Sequence, residues 1–352
     1  MQRTNQGQSE VIFLSAITCL FLILIHVLEM FFFGERQSLN EISSTTYQLS
    51  HFGIAMFAVI VGLYLFKQSR KKEKRLGAFE VSKVTLLFVL WSLFYLVLAK
   101  VAMNVEMFTG WKDSILTFAM GDSFYHLSFI SVILQFLLFL PLLKLVQTKA
   151  GWSILLVVTG MIHYYFVSPF LTEGNAFLAQ DGLLLKWLFF FVLGGYLARH
   201  WDSVQNFLEK FNRFGLIPLI GLIVFEVTYY LMYGSIYQAE WFLMITVPVI
   251  AVSLLGIYQS VRKVVLLDIF LHSIGENTIG LYFIFPFIIF AYSSILPDAV
   301  WQKEYFVLVF TLVLGTSVFI SKLVRLIVIN IEGIKGPVVK TKMLNQQELG
   351  IN

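Results

Sequence analysis

Long apolar stretches separated by short polar ones dominate the chain. Ten reach or approach the roughly 20 residues that carry a helix across a bilayer. They lie near 11–33, 48–66, 82–104, 127–146, 152–170, 184–199, 214–233, 241–261, 276–296 and 305–329. The sixth, "LLLKWLFFFVLGGYLAR", is short and carries Lys186 near its start. The first has only Arg3 ahead of it and no small-residue cleavage pattern close behind, so it is expected to stay as a membrane helix rather than leave as a signal peptide. The pattern predicts an all-α integral membrane protein of about ten transmembrane helices.

Composition agrees. Of 352 residues, 58% are hydrophobic and 13% charged, with mean hydropathy +0.81, far from a soluble domain's usage. No polar stretch is long enough to form a separate soluble domain. The net charge of +4 reflects topology, and no nucleic-acid partner is expected. Short cytoplasmic loops hold an excess of Lys and Arg. With the amino terminus inside, only Arg36, Lys100, Lys112, Lys186 and Lys303 of the 25 basic residues fall on the outer side. Both termini are therefore expected in the cytoplasm. The run "KQSRKKEKR" at 67–75 reads as a topogenic loop near anionic headgroups, or as a binding site for an anionic donor such as a coenzyme-A thioester. The single cysteine, Cys19, lies inside the first apolar run, which leaves no disulfide framework, no CxxC and no thiolate metal site.

Soluble-enzyme templates fail: there is no Walker loop, GxSxG elbow, HExxH or paired-carboxylate motif. What remains is the set of ionisable groups at membrane depth, which are costly there and are functional candidates by default. They are His26 and Glu29 on the first helix, His163 on the fifth, Glu226 on the seventh, and His272 with Glu276 at the inner end of the ninth. His126 and His51 lie at outer helix mouths. His26 and Glu29 are three residues apart, on one helical face and within reach of each other. A carboxylate beside an imidazole fixes its tautomer and raises its basicity, as a general base requires. The same pair could equally hydrogen-bond a neighbouring helix.

The segment "FLSAITCLFLILIH" resembles the opening helix of the acyltransferase-3 family of multi-span membrane acyltransferases, whose pattern is an arginine, ten residues, then a histidine. "GDSFYHLSFISVILQFLLFLPLL" resembles the family helix that begins with an aromatic residue and a histidine. "KWLFFFVLGGYLARHWDSVQNFLEKF" resembles its glycine-containing helix with the following amphipathic segment. "IGENTIGLYFIFPFII" resembles its late helix, of the form glycine, apolar, tyrosine, two apolar residues, histidine, proline. The resemblance covers nearly all the chain and is nearest the polysaccharide intercellular adhesin C type. It implies one acyltransferase-3-like transmembrane domain over 1–335, with a polar cytoplasmic tail over 336–352. Three positions depart from the pattern. Ser15 stands where the family has its arginine, "FEVSKV" with Glu80 and Lys83 stands where another arginine precedes the third helix, and Phe285 replaces the histidine before Pro286.

The resemblance implies a multi-pass protein of the cell membrane. It would transfer a succinyl or acetyl group from cytoplasmic acyl-coenzyme A to hydroxyls of a surface polysaccharide such as poly-N-acetylglucosamine. His26 oriented by Glu29 would act as base, and Ser15, Lys83, Tyr125, His126 and Glu226 would contact the substrates. No bound cofactor is expected beyond the thioester donor. The replaced arginine and histidine favour a different expectation, a polysaccharide exporter or flippase, or an inactive relative supporting a polysaccharide synthase. His163, Glu226, His272 and Glu276 could then line a path.

Overall fold

The computed structural model describes residues 2–32, 41–69, 76–102, 115, 118–124, 126–167, 178, 180–211, 215–233 and 242–326. Hydrocarbon offers backbone groups no hydrogen-bond partner, and a helix is the element that satisfies them within one segment. Accordingly, the described residues form helices and turns with no strand. In chain order the helices that frame the site are α1 (Gln2–Phe32), α2 (Glu41–Ser69), α3 (Leu76–Ala102), α4 (Leu127–Leu143), α5 (Lys149–Val167), α6 (Leu184–Arg199), α7 (Trp201–Phe211), α8 (Leu216–Tyr233), α9 (Leu243–Val261), α10 (Val265–Gly275) and α11 (Thr278–Ile295). A last helix, α12, covers 306–326.

Among the described residues seven helical segments are long and apolar enough to cross a membrane: Ser9–Phe31, Val84–Ala102, Lys149–Val167, Leu216–Tyr233, Leu243–Val261, Thr278–Ile295 and Lys303–Leu326. Each matches an expected stretch. The other three expected stretches are helical but shorter in their apolar part: Phe52–Lys67 within α2, Leu127–Leu143, and the 16 residues of α6. The loop expected between the eighth and ninth spans contains a helix of its own, α10. His272 sits on that helix and Glu276 in the turn after it, so neither belongs to the ninth span as expected. His51, Lys83, Tyr125 and the tail 336–352 lie outside the described residues or side chains.

The bundle is built around α2 and α6. α6 is apolar on all sides, as befits a helix surrounded by protein, and it packs on α2, α4 and α5, while α1 packs on α2, α10 and α11. The α2–α6 contact is backbone on backbone. A Cβ at Gly194 would fall 2.0 Å from the Val59 carbonyl oxygen, and one at Gly62 would fall 2.1 Å from that of Phe191. Small residues at such crossings replace the hydrophobic drive that lipid does not provide. The turn leading into α6 is pinned by Gln135 of α4, whose Nε2 donates to the Gly182 carbonyl at 2.6 Å. Its Oε1 accepts the Leu184 N–H at 3.1 Å. His163 of α5 donates from Nδ1 to the Lys186 carbonyl, which is a helix-packing role.

At the other end of the bundle Glu10 of α1 is buried. It accepts hydrogen bonds from Gln205 of α7 at 3.1 Å and Gln259 of α9 at 3.3 Å. Beside it the Lys67 ammonium lies 3.9 Å from the Trp201 ring centre. A buried carboxylate with two amide donors thus ties three helices together.

Gly194→Val would drive two methyls into the α2 backbone, and overpacking of this kind costs about 3 kcal/mol or more. The expected result is a sharply lowered unfolding temperature in detergent. Gly221→Ala, at a position with nothing within 4 Å, should leave stability unchanged or raise it by up to about 1 kcal/mol.

Candidate functional site

His26 and Glu29 stand near the end of α1 remote from Glu10, one helical turn apart on a shared face. The His26 Nδ1 lies 2.7 Å from Glu29 Oε2. The imidazole is 14% exposed and the carboxylate 39%, so the pair is partly sheltered with its carboxylate the more exposed partner. The neutral ring donates its Nδ1–H to the carboxylate and keeps its lone pair on Nε2. That is the tautomer from which Nε2 can take a proton, with Glu29 stabilising the imidazolium that results.

The flat face of the His26 ring is covered by Phe285 of α11, with ring centres 5.5 Å apart and planes 22° from parallel. Phe285 also meets His126, in the turn before α4, at 6.4 Å. His126 is in turn within electrostatic reach of His26. Two of the three positions that carry histidine in the family pattern thus converge on the third, which is here phenylalanine.

His126 is buried and held by aromatic groups from three directions. Tyr95 of α3 meets its ring edge-on at 4.8 Å, Phe124 at 5.6 Å and Tyr282 at 5.6 Å. The Tyr282 hydroxyl donates to the His126 backbone carbonyl, which ties α11 to the start of α4. Tyr95 donates to the Phe283 carbonyl at 2.7 Å, which ties α3 to α11. Pro286 has no N–H and cannot close the usual bond to the carbonyl of Tyr282. Both tyrosine contacts fall within a turn of that break.

Other expected site residues fall elsewhere. Ser15 is on the same face of α1 as His26 but about 16 Å from it, and its hydroxyl is engaged by the Val11 carbonyl at 2.9 Å. Its own carbonyl accepts from Thr278 of α11 at 3.4 Å. Glu226 is buried on α8, a helix that packs against α2 and α9 and contributes none of the contacts around His26. His272 pairs with Asp268 one turn earlier on α10, at 3.3 Å. Glu276 pairs with Arg325 at 3.3 Å. Among the described residues no group of three or more His, Cys, Asp and Glu side chains could hold a metal ion.

Sequence reasoning missed Tyr95, Tyr282 and Glu10. Tyr282 stood in the late-helix pattern quoted for the resemblance, and Glu10 was visible as a lone carboxylate at the head of the first apolar run. Nothing in the sequence around Tyr95 distinguishes it from the other aromatics of α3.

The sequence model of the acyltransferase-3 family, described as an acyltransferase domain, matches residues 10–325. A relative from Staphylococcus aureus strain Mu50 is 24% identical over 307 residues, 83% of each chain, and carries the name "Probable poly-beta-1,6-N-acetyl-D-glucosamine export protein". A protein of the same name from Staphylococcus epidermidis is 24% identical over 185 residues, 49% of each chain. No solved structure matches.

Tyr95 and Tyr282 both bear on His126, so their losses should not add. Tyr282→Phe and Tyr95→Phe are each expected to cost about 1 kcal/mol. The double variant should depart from the sum by about 0.5 kcal/mol or more, read from unfolding curves of the purified protein.

Proposed function

The chain belongs to the acyltransferase-3 family, and from that membership we propose that it moves a succinyl or acetyl group from acyl-coenzyme A to a hydroxyl of a surface polysaccharide such as poly-N-acetylglucosamine. Membership and the apolar helices make it a multi-pass membrane protein connected with biofilm exopolysaccharide. The observation that carries the reading is the 2.7 Å contact of His26 with Glu29, set against Phe285 and His126. In the proposed step Nε2 of His26 takes the proton of the sugar hydroxyl as its oxygen attacks the thioester carbonyl. The carbon–sulfur bond then breaks, an ester forms, and the proton passes from the imidazolium to the departing coenzyme-A thiolate.

Within this reading Glu29 orients His26, and Phe285 covers the flat face of its ring and leaves the edge for the substrate. His126, with Tyr125 beside it in sequence, would meet the acceptor. Lys83 would supply positive charge to the donor, with Ser15 beneath the path by which it arrives. Glu226, buried on α8, would meet a substrate from that helix. The name carried by the staphylococcal relatives supports a second reading, in which the protein exports the polymer.

His26→Ala is expected to lower acyl transfer by about 10²–10⁴-fold, the usual contribution of a positioned base, and Glu29→Gln by less. The measurement is the acyl ester content of extracellular polymer from strains carrying each variant. Unchanged ester content with less polymer outside the cell in the His26→Ala strain would sink the acyltransferase reading and favour export.

A further inference from the structure

We propose that α10 is a lipid-embedded arm: a helix lying within one leaflet, its apolar face among acyl chains and Arg262 and Lys263 at anionic phosphates. The helix has 11 residues, about 16 Å in length, too short to cross hydrocarbon about 30 Å thick. Its connections leave it no slack. Three residues separate the end of α9 at Val261 from the start of α10, and two separate the end of α10 at Gly275 from the start of α11. Both neighbours are long and apolar enough to span, so α10 is fixed at the level of their shared end. The distribution of Lys and Arg places that end at the cytoplasmic leaflet.

Its surface identifies what covers it. Val264, Val265, Leu266, Leu267, Ile269 and Phe270 are 40% to 82% exposed, while Leu271 and Ile274 are buried against the bundle. A contiguous apolar face of this kind is not left to water. The other helix of 11 residues, α7, makes the contrast. It buries Trp201 and Leu208 and exposes Asp202, Ser203, Asn206, Glu209 and Lys210, with Phe207 as the single exposed large apolar residue among its described side chains. α7 is built to face the aqueous phase and α10 to face lipid.

Charge follows the same division. Arg262 and Lys263 stand immediately before the apolar face, where they can reach the headgroup phosphates. The two ionisable groups on the helix itself, Asp268 and His272, pair with each other at 3.3 Å. The far end is held by protein. Arg325 of α12 bonds Glu276 at 3.3 Å and Asn277 at 3.5 Å. A Cβ at Gly275 would fall 2.0 Å from the Ile12 carbonyl oxygen of α1. Lipid thus grips one end of α10 and α1, the His26 helix, grips the other.

The test uses the full chain with Cys19 replaced by Ala, labelled with an environment-sensitive fluorophore at Leu266→Cys and reconstituted in nanodiscs. Val265→Cys serves as a second site and Asn206→Cys on α7 as the aqueous comparison. Nitroxide-bearing phospholipid should quench the α10 labels roughly twofold or more while aqueous iodide does not, and α7 should show the reverse. Nitroxide phosphatidylglycerol should quench roughly fivefold more effectively than nitroxide phosphatidylcholine. That preference should vanish in Arg262→Gln/Lys263→Gln, since each basic residue near an anionic surface contributes on that order. Iodide reaching the α10 labels would overturn the proposal, and so would protection from both quenchers, which would mean that a second copy or another protein covers the helix. Survival of the phosphatidylglycerol preference in the double variant would overturn the assignment of Arg262 and Lys263.

Discussion

Hydrocarbon gives a polar group nothing to bond, and the arrangement of this chain follows from that constraint. The cost of an unsatisfied group at membrane depth is several kcal/mol, and three buried or half-buried polar side chains are placed where another helix meets them. Glu10 draws amides from two helices distant in sequence. Gln135 uses both ends of its amide on the turn before α6. His163 closes onto the Lys186 carbonyl. Each of these contacts joins helices that lipid would otherwise leave free to slide, because the apolar surfaces of α2, α4, α5 and α9 gain little from exchanging lipid for one another.

Around His26 the same constraint is met differently. Glu29 holds the imidazole from its own helix, and the remaining enclosure is aromatic: Phe285, then His126, then Tyr95, Phe124 and Tyr282. Two tyrosine hydroxyls end this series on backbone carbonyls of α11 and of the turn before α4. A general base gains from such a setting, because a ring held in one plane presents Nε2 in one direction and loses little entropy when the substrate arrives. Phe285 gives up the third histidine of the family pattern. In exchange it contributes a flat apolar surface on which both remaining imidazoles rest.

Much of the fold was legible because apolar length is a strong one-dimensional signal. The bounds of α6 and α11 agree with their expected stretches nearly to the residue, and the spacing of His26 and Glu29 foretold their contact. The span lengths were less legible: α4 stops at Leu143, soon after Pro141, short of the expected end at 146. α10 escaped notice because an apolar stretch of 11 residues between basic and polar ones gives too weak a length signal to separate it from a loop or from the start of the next span. Glu226 stood alone in sequence while His26 had Glu29 on its own face, and the packing of α8 against α2 and α9 came into view only with the structure.

The sequence by itself determined that the chain is a helical membrane protein, where its long apolar helices lie, and that one histidine has a carboxylate on its own helical face, since each of these depends on residues close together along the chain. Tertiary structure alone decided that His126, 100 residues from His26, shares Phe285 with it, that the Ser15 carbonyl meets Thr278 of α11, and that Glu10 clamps α1 to α7 and α9. Those contacts depend on how helices far apart in sequence cross. The crossings are set by glycine-permitted backbone approach at Gly62, Gly194 and Gly275 and by individual hydrogen bonds, neither of which leaves a periodic trace in the chain.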